Sequence, residues 1–97
     1  MHVISKKKLI ECWTQHPDAE QPLKAWHAEA KKAQWKTPAD VKEKFGSASI
    51  LANNRVVFNI GGNKYRLVVE IHYKGKVVFV RWVGTHAEYD RINAEEI

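Results

Sequence analysis

The sequence is poor in the residues that staple or metallate small proteins. It has one cysteine, Cys12, in 97 residues, which excludes an internal disulfide framework and a four-cysteine zinc site. Its five histidines (His2, His16, His27, His72 and His86) form no His-x-x-x-His pair, and there is no Cys-x-x-Cys. The spacing therefore predicts no metal site, and nothing points to a cofactor. No apolar run approaches the roughly 20 residues of a membrane span. The stretch MHVISKKKLIECW lacks the apolar segment and small-residue cleavage site of a secretory signal. A cytoplasmic protein with no membrane partner is the expectation. Repeats, low-complexity segments and flexible linkers are absent, and the length suits one domain, residues 1–97, with one core and one site.

What the sequence has is positive charge. Lys and Arg number 16 against 11 Asp and Glu, a net of +5, which permits a nucleic-acid partner without establishing one. The charge is unevenly placed. Residues 1–53 carry a net of +3, residues 54–84 a net of +5 with Glu70 the only acid, and residues 85–97 a net of −3. The middle block holds Arg55, Arg66 and Arg81, three of the four arginines, and the guanidinium fork suits phosphate better than an ammonium does.

The apolar period changes near the middle of the chain. Residues 1–46 read as helical. Ser5 is placed to cap a helix over Lys6–Gln15, with Leu9, Ile10, Cys12 and Trp13 as its apolar stripe. His16-Pro17-Asp18 ends it, and a second helix over Glu20–Gln34 carries Leu23, Trp26, His27, Ala30 and Ala33 at helical spacing. Thr37-Pro38-Ala39-Asp40 starts a third, ended by Phe45-Gly46. Residues 47–84 read as antiparallel sheet: Arg55–Ile60, Lys64–Tyr73 and Lys76–Val83 alternate with period two around glycine turns. Residues 85–97 form a short helix and a tail, with Thr85 and Glu88 spaced as a capping box and Glu95 and Glu96 expected to fray into solvent.

Two-residue turns would fix the register. Val57 then faces Arg66, Tyr73 faces Lys76, Leu67 faces Trp82 and Val68 faces Arg81. One face of the sheet becomes Val56, Phe58, Tyr65, Leu67, Val69, Ile71, Val78, Val80 and Trp82, which must pack on the helices. The other face collects Arg55, Asn59, Lys64, Arg66, Glu70, His72 and Arg81, with Arg66 and Arg81 as diagonal neighbours. A solvated sheet face is polar in any case, but here basic residues outnumber Glu70 about four to one, and paired guanidinium groups call for an anion. The inference depends on Val68 pairing with Arg81, because a one-residue bulge would flip every later side chain.

Past the last strand sits His86, whose side chain is of the type most often used to give or take a proton, and Tyr89 lies three residues on, along the same side of a helix. Gly61-Gly62-Asn63 lacks the Lys-Ser/Thr of a phosphate-binding P-loop and precedes a strand. Cys12, His27 and the tryptophans Trp13, Trp26 and Trp35 read as packing residues.

The two segments Asn59-Ile-Gly-Gly-Asn-Lys-Tyr-Arg-Leu-Val69 and Phe79-Val-Arg-Trp-Val-Gly-Thr-His-Ala-Glu-Tyr-Asp90 closely resemble the HigB-like toxins of bacterial toxin–antitoxin pairs, a branch of the RelE/ParE superfamily. The resemblance implies an α+β fold, with N-terminal helices packed on a three- to four-stranded antiparallel sheet and a short C-terminal helix. It implies an mRNA endonuclease acting in the ribosomal A site and neutralised by a HigA-like helix-turn-helix antitoxin. It also implies metal-free cleavage by the RNA 2′-hydroxyl. In that chemistry Arg66 and Arg81 would stabilise the phosphorane, His86 would transfer protons with Tyr89 and Lys64 as alternatives, and Arg55, Asn63 and Lys64 would position RNA phosphate. A gyrase poison on the same fold, or an RNA-binding module without catalysis, are the competing functions.

Overall fold

The computed structural model describes residues 1–97. In chain order the elements are β1 (His2–Ile4), α1 (Lys7–Gln15), a 3-10 turn (Pro17–Ala19), α2 (Glu20–Lys32), α3 (Pro38–Lys44), β2 (Ser49–Ile50), β3 (Arg55–Ile60), β4 (Tyr65–His72), β5 (Val77–Thr85) and α4 (His86–Tyr89). None of the helices is long and apolar enough to cross a membrane.

The helices begin where local chemistry permits. Thr37 accepts from the Asp40 N–H at 3.3 Å while the Asp40 carboxylate accepts from the Thr37 N–H at 3.2 Å, and Pro38 occupies the first helical position. Thr85 and Glu88 form the same reciprocal cap at α4. Ser5 is a weaker start signal: its hydroxyl accepts from the Lys7 N–H at 3.4 Å, and α1 begins one residue later than expected. α2 stops at Lys32, where Ala33 turns extended.

The fold class is the α+β arrangement expected, but the sheet is wider. It has five strands in the order β1-β5-β4-β3-β2. The two additional strands are edges of three and two residues, too short to show a period. β1 pairs with β5 in parallel, over Val77–Phe79 only. The edge of β5 beyond Phe79 therefore carries no strand.

The first hairpin closes through a four-residue loop, Gly61–Lys64, not a two-residue turn. Both glycines take positive φ, 62° and 72°, a region glycine enters without the steric cost other residues meet. Ile60 pairs with Tyr65 and Val57 with Val68. The shift is two residues, so every side chain keeps its expected face.

The second hairpin starts in the expected register, with His72 opposite Val77 and Val69 opposite Val80, and then slips. Val68 pairs with Trp82, Leu67 with Val83 and Arg66 with Gly84. Arg81 is the extra residue of a β-bulge. The expected pairing of Val68 with Arg81 is thus absent, and with it the diagonal contact of Arg66 and Arg81. Trp82, expected in the helix-facing core, turns to the opposite face and packs with Val57, Val68 and Tyr89, while Val83 takes its place against the helices.

The main core lies between the helices and Val56, Phe58, Tyr65, Leu67, Val69, Ile71, Val78 and Val80. Phe58 is at its centre, 1% exposed. Its ring centroid lies 5.0 Å from Phe45, 5.4 Å from Trp26 and 6.3 Å from Trp35, so α2, the segment before α3 and the end of α3 all meet on one side chain. Replacing Phe58 by Ala should cost about 3–5 kcal/mol of stability, as for other buried aromatics, read as a lowered urea midpoint. A loss under about 1 kcal/mol would show that these rings pack without it.

Candidate functional site

The face of the sheet away from α1 and α2 holds the expected basic residues, but it is not bare. Val57 and Val68 project from it and would leave an apolar patch in water. The chain after α4 turns back and covers them, contributing Ala94, Ile92 and Ile97 beside Leu51, Trp82 and Tyr89. The tail expected to fray is therefore docked. The Glu95 carboxylate accepts from the Ala52 N–H at 3.1 Å, and the Asn53 side chain donates to the Glu95 carbonyl at 3.1 Å.

This docking divides the basic residues into two groups. In the first, Arg55 is 8% exposed and fully engaged. Its Nε and Nη2 donate to the main-chain oxygen of Ile97 at 3.0 and 2.6 Å, and Nη1 donates to the Asn53 carbonyl at 2.9 Å. Nη1 also lies 3.1 Å from Glu70. Arg81 donates through Nε to the same Ile97 oxygen at 3.2 Å, and its Nη1 lies 3.9 Å from Glu70. His72 meets Glu70 at 2.7 Å. The anion that neighbouring guanidinium groups require is thus partly internal, a carboxylate and a main-chain oxygen. Burial pushes the Glu70 carboxyl up, but the His72 hydrogen bond and the charges of Arg55, His72 and Arg81 outweigh it and hold the carboxyl below its usual range.

The second group lies at the end of the sheet where β5 runs into α4. Arg66 sits over the Tyr89 ring, 6.0 Å from its centroid, a favourable cation–π separation. Its Nη1 donates to the Asn63 carbonyl at 3.4 Å, so the glycine loop and β4 share one arginine. The His86 N–H donates to the Lys64 carbonyl at 3.0 Å, which ties the start of α4 to the same loop. His86 is exposed, and the Tyr89 ring is half-buried against Trp82 at 6.2 Å. The structure brings together Asn63, Lys64, Arg66, His86 and Tyr89. Arg81 stands apart on the bulge, and Arg55 is remote: it pairs with Glu70, four residues or about 13 Å along β4 from Arg66.

Nothing in the local sequence pointed to a third contributor, the 3-10 turn. Asp18 accepts from the Tyr65 hydroxyl at 2.5 Å and from Lys64 Nζ at 3.3 Å, and the His16 ring lies 5.4 Å from that of Tyr65. The Tyr65 hydrogen bond, with Lys64 beside it, holds the Asp18 carboxyl below its usual range. The same bond, with burial added, pushes the Tyr65 hydroxyl up to about 12, so it remains a donor. Lys64 is held at both ends, by Asp18 at its ammonium and by His86 at its carbonyl. The only available signal was the acid following His16-Pro17, and it does not reveal a partner in β4.

Residues 19–92 match the sequence profile of the HigB toxin family, described as the RelE-like toxic component of a toxin–antitoxin system. The chain is 31% identical over 96 residues to the mRNA interferase toxin HigB of Escherichia coli strain K12, covering 97% of this chain and 92% of that protein. It is 30% identical over 94 residues to the mRNA interferase HigB of Escherichia coli O6:H1, covering 95% and 91%, and 31% identical over 96 residues to that of Shigella flexneri, covering 97% and 92%.

Glu70 yields a test of the charge arrangement. Its folded-state pKa is lowered, so it stabilises the fold above its ordinary value near 4.5, and the contribution is lost as pH falls through the folded pKa. Glu70→Gln should lower the urea midpoint near neutrality, and its gap from the unsubstituted chain should narrow as pH falls from about 6 to about 3. A gap independent of pH would show that the carboxylate charge is not what holds Arg55 and Arg81.

Proposed function

The chain belongs to the HigB toxin family, and from that premise we propose that it is an mRNA interferase, an RNA endonuclease that stops translation by cutting mRNA on the ribosome. Membership of a toxin–antitoxin family implies an antitoxin partner; by this reading the partner is a HigA-like helix-turn-helix protein, and the site of action is the cytoplasmic ribosome's A site. The observation that carries the proposal is the convergence of Arg66, Lys64, His86 and Tyr89, from separate segments, at one accessible end of the sheet.

The chemistry these groups support is attack of an RNA 2′-hydroxyl on the adjacent phosphorus. A base takes the hydroxyl proton, the oxygen–phosphorus bond forms, and the bond to the 5′-oxygen breaks as that oxygen receives a proton. A 2′,3′-cyclic phosphate and a free 5′-hydroxyl result. His86, exposed on the first turn of α4, is assigned the proton transfer, with Tyr89 and Lys64 as alternatives. Arg66 is assigned the developing charge on the phosphorane. Arg81, apart from Arg66 on the bulge and turned to Ile97 and Glu70, is assigned to holding the returning chain in place of the phosphorane role its sequence position suggested. Asn63 and Lys64 position RNA phosphate. Arg55, with every guanidinium nitrogen engaged and almost no exposure, is assigned to holding the sheet face in place of the RNA contact its sequence position suggested.

Primer extension on mRNA in a translating extract tests the assignment. The unsubstituted chain should cut ribosome-bound message. Arg66→Ala should slow cutting by about 10²–10³-fold, the usual effect of losing one transition-state donor. His86→Ala should slow it by about a hundredfold or more. Full activity in either variant removes that residue from catalysis, and inhibition of supercoiling with intact message would favour the gyrase reading.

A further inference from the structure

The bulge leaves one large side chain without a role in either group. Trp82 lies on the edge of β5 that no strand covers, since β1 ends opposite Phe79. Its indole rests against the backbone of Gly84: a Cβ there would come within 2.7 Å of Trp82 Cζ2 and 2.8 Å of the Glu88 carboxylate. One side of the indole faces Tyr89 at 6.2 Å, the ring over which Arg66 sits. On the helix side it borders an open cavity of about 210 Å³, lined by Lys8, Glu11, Cys12 and Gln15 of α1 with Trp82 and Val83 of β5. Trp82 thus joins a cavity to the candidate catalytic group around the end of the sheet.

The cavity has the composition of a base-binding site. It is smaller than the roughly 300 Å³ at which sites for drug-sized ligands begin, suiting a single ring system. The Trp82 indole, Val83 and Cys12 supply an apolar floor. Burial, with the nearby charges of Glu88 and Asp18, pushes the Cys12 thiol up, so the floor stays uncharged. Gln15 offers a donor and an acceptor, Glu11 an acceptor and Lys8 a donor, and the edge of a base presents both kinds. Single-stranded RNA is recognised by splaying bases onto aromatic rings and reading their edges.

We propose that the α1–β5 cavity, with Trp82 as its platform, binds one unpaired nucleobase of the RNA whose scissile phosphate lies at Arg66, and that Glu11 and Gln15 set the base preference. This rests on the RNA-cleavage reading above and adds a subsite to it. The backbone would pass over Tyr89 and Arg66 while the flanking base turns around the open edge of β5.

Two measurements test it. The first uses short single-stranded RNAs with a 2′-O-methyl group at each position, which the proposed chemistry cannot cut, varied at one base and titrated against the full chain. Trp82→Leu should weaken binding by about tenfold, within the range for losing one stacked base, while Trp82→Phe should restore most of it. Glu11→Gln and Gln15→Ala, both at exposed positions, should change the ranking of the four bases. The second maps cleavage ends on ribosome-bound mRNA, where the same two variants should shift base frequency at one fixed offset from the cut. Unaltered ranking and unaltered cleavage context in Glu11→Gln and Gln15→Ala would overturn the proposal, as would failure of the unsubstituted chain to bind any of the RNAs. If the chain binds with a base preference that these variants change, yet cuts nothing, the subsite stands and the nuclease reading falls. If it cuts with a context that neither variant alters, the nuclease reading stands and the subsite falls.

Discussion

One extra residue in β5 governs the functional end of this molecule. Between Val69↔Val80 and Val68↔Trp82 the strand takes up Arg81 without a partner, and side-chain parity inverts from there on. A strand has period two, so a single insertion moves every later residue to the other face. Trp82 leaves the helical core, Val83 enters it, and the last strand residues reach α4 in the phase that ties His86 to the glycine loop. A ladder without the bulge would put Trp82 under the helices.

The bulge also settles how the positive charge is used. Arg81 and Arg55 share the Ile97 oxygen and Glu70, so part of the basic face serves to clamp the returning chain. That clamp lets residues 92–97 cover Val57 and Val68, two apolar side chains on the face opposite the main core. The net charge of +5 therefore overstates the field available to a ligand at mid-sheet. The accessible charge is at the strand end, with Arg66 and Lys64. Lys64 is restrained rather than neutralised, because its exposed pairing with Asp18 is the kind that contributes little energy but limits the directions its chain can take.

The strand end is assembled from four parts of the chain: the 3-10 turn, the glycine loop, the start of β4 and α4. Each is short, and none would hold its shape alone. Their bonds interlock: Asp18 with Tyr65 and Lys64, the Lys64 carbonyl with His86, the Asn63 carbonyl with Arg66, and Arg66 with Tyr89. Such cross-bracing places catalytic groups without requiring a large domain, which a chain of 97 residues could not supply.

Features that neighbouring residues decide were legible in the chain before it folded. The caps at Thr37 and Thr85, the stop at His16-Pro17, the alternation in β4 and the helix-facing side chains from Val56 to Val80 all depend on interactions within about four residues or on a simple period. The glycine loop proved longer than the tightest turn, yet a two-residue shift preserves parity, so the faces were legible even though the pairing was not. The short edge strands β1 and β2, the bulge at Arg81, the side of the sheet taken by Trp82, the engagement of Arg55 and the docking of the tail emerge only when the chain packs in three dimensions. For β1, for Arg55 and for the 3-10 turn the deciding partner lies far along the chain: Phe79 for Ile4, Ile97 for Arg55, Tyr65 for Asp18. Nothing in a residue's immediate neighbours records such a partner, because it is chosen by which distant surfaces must be covered once the sheet has formed.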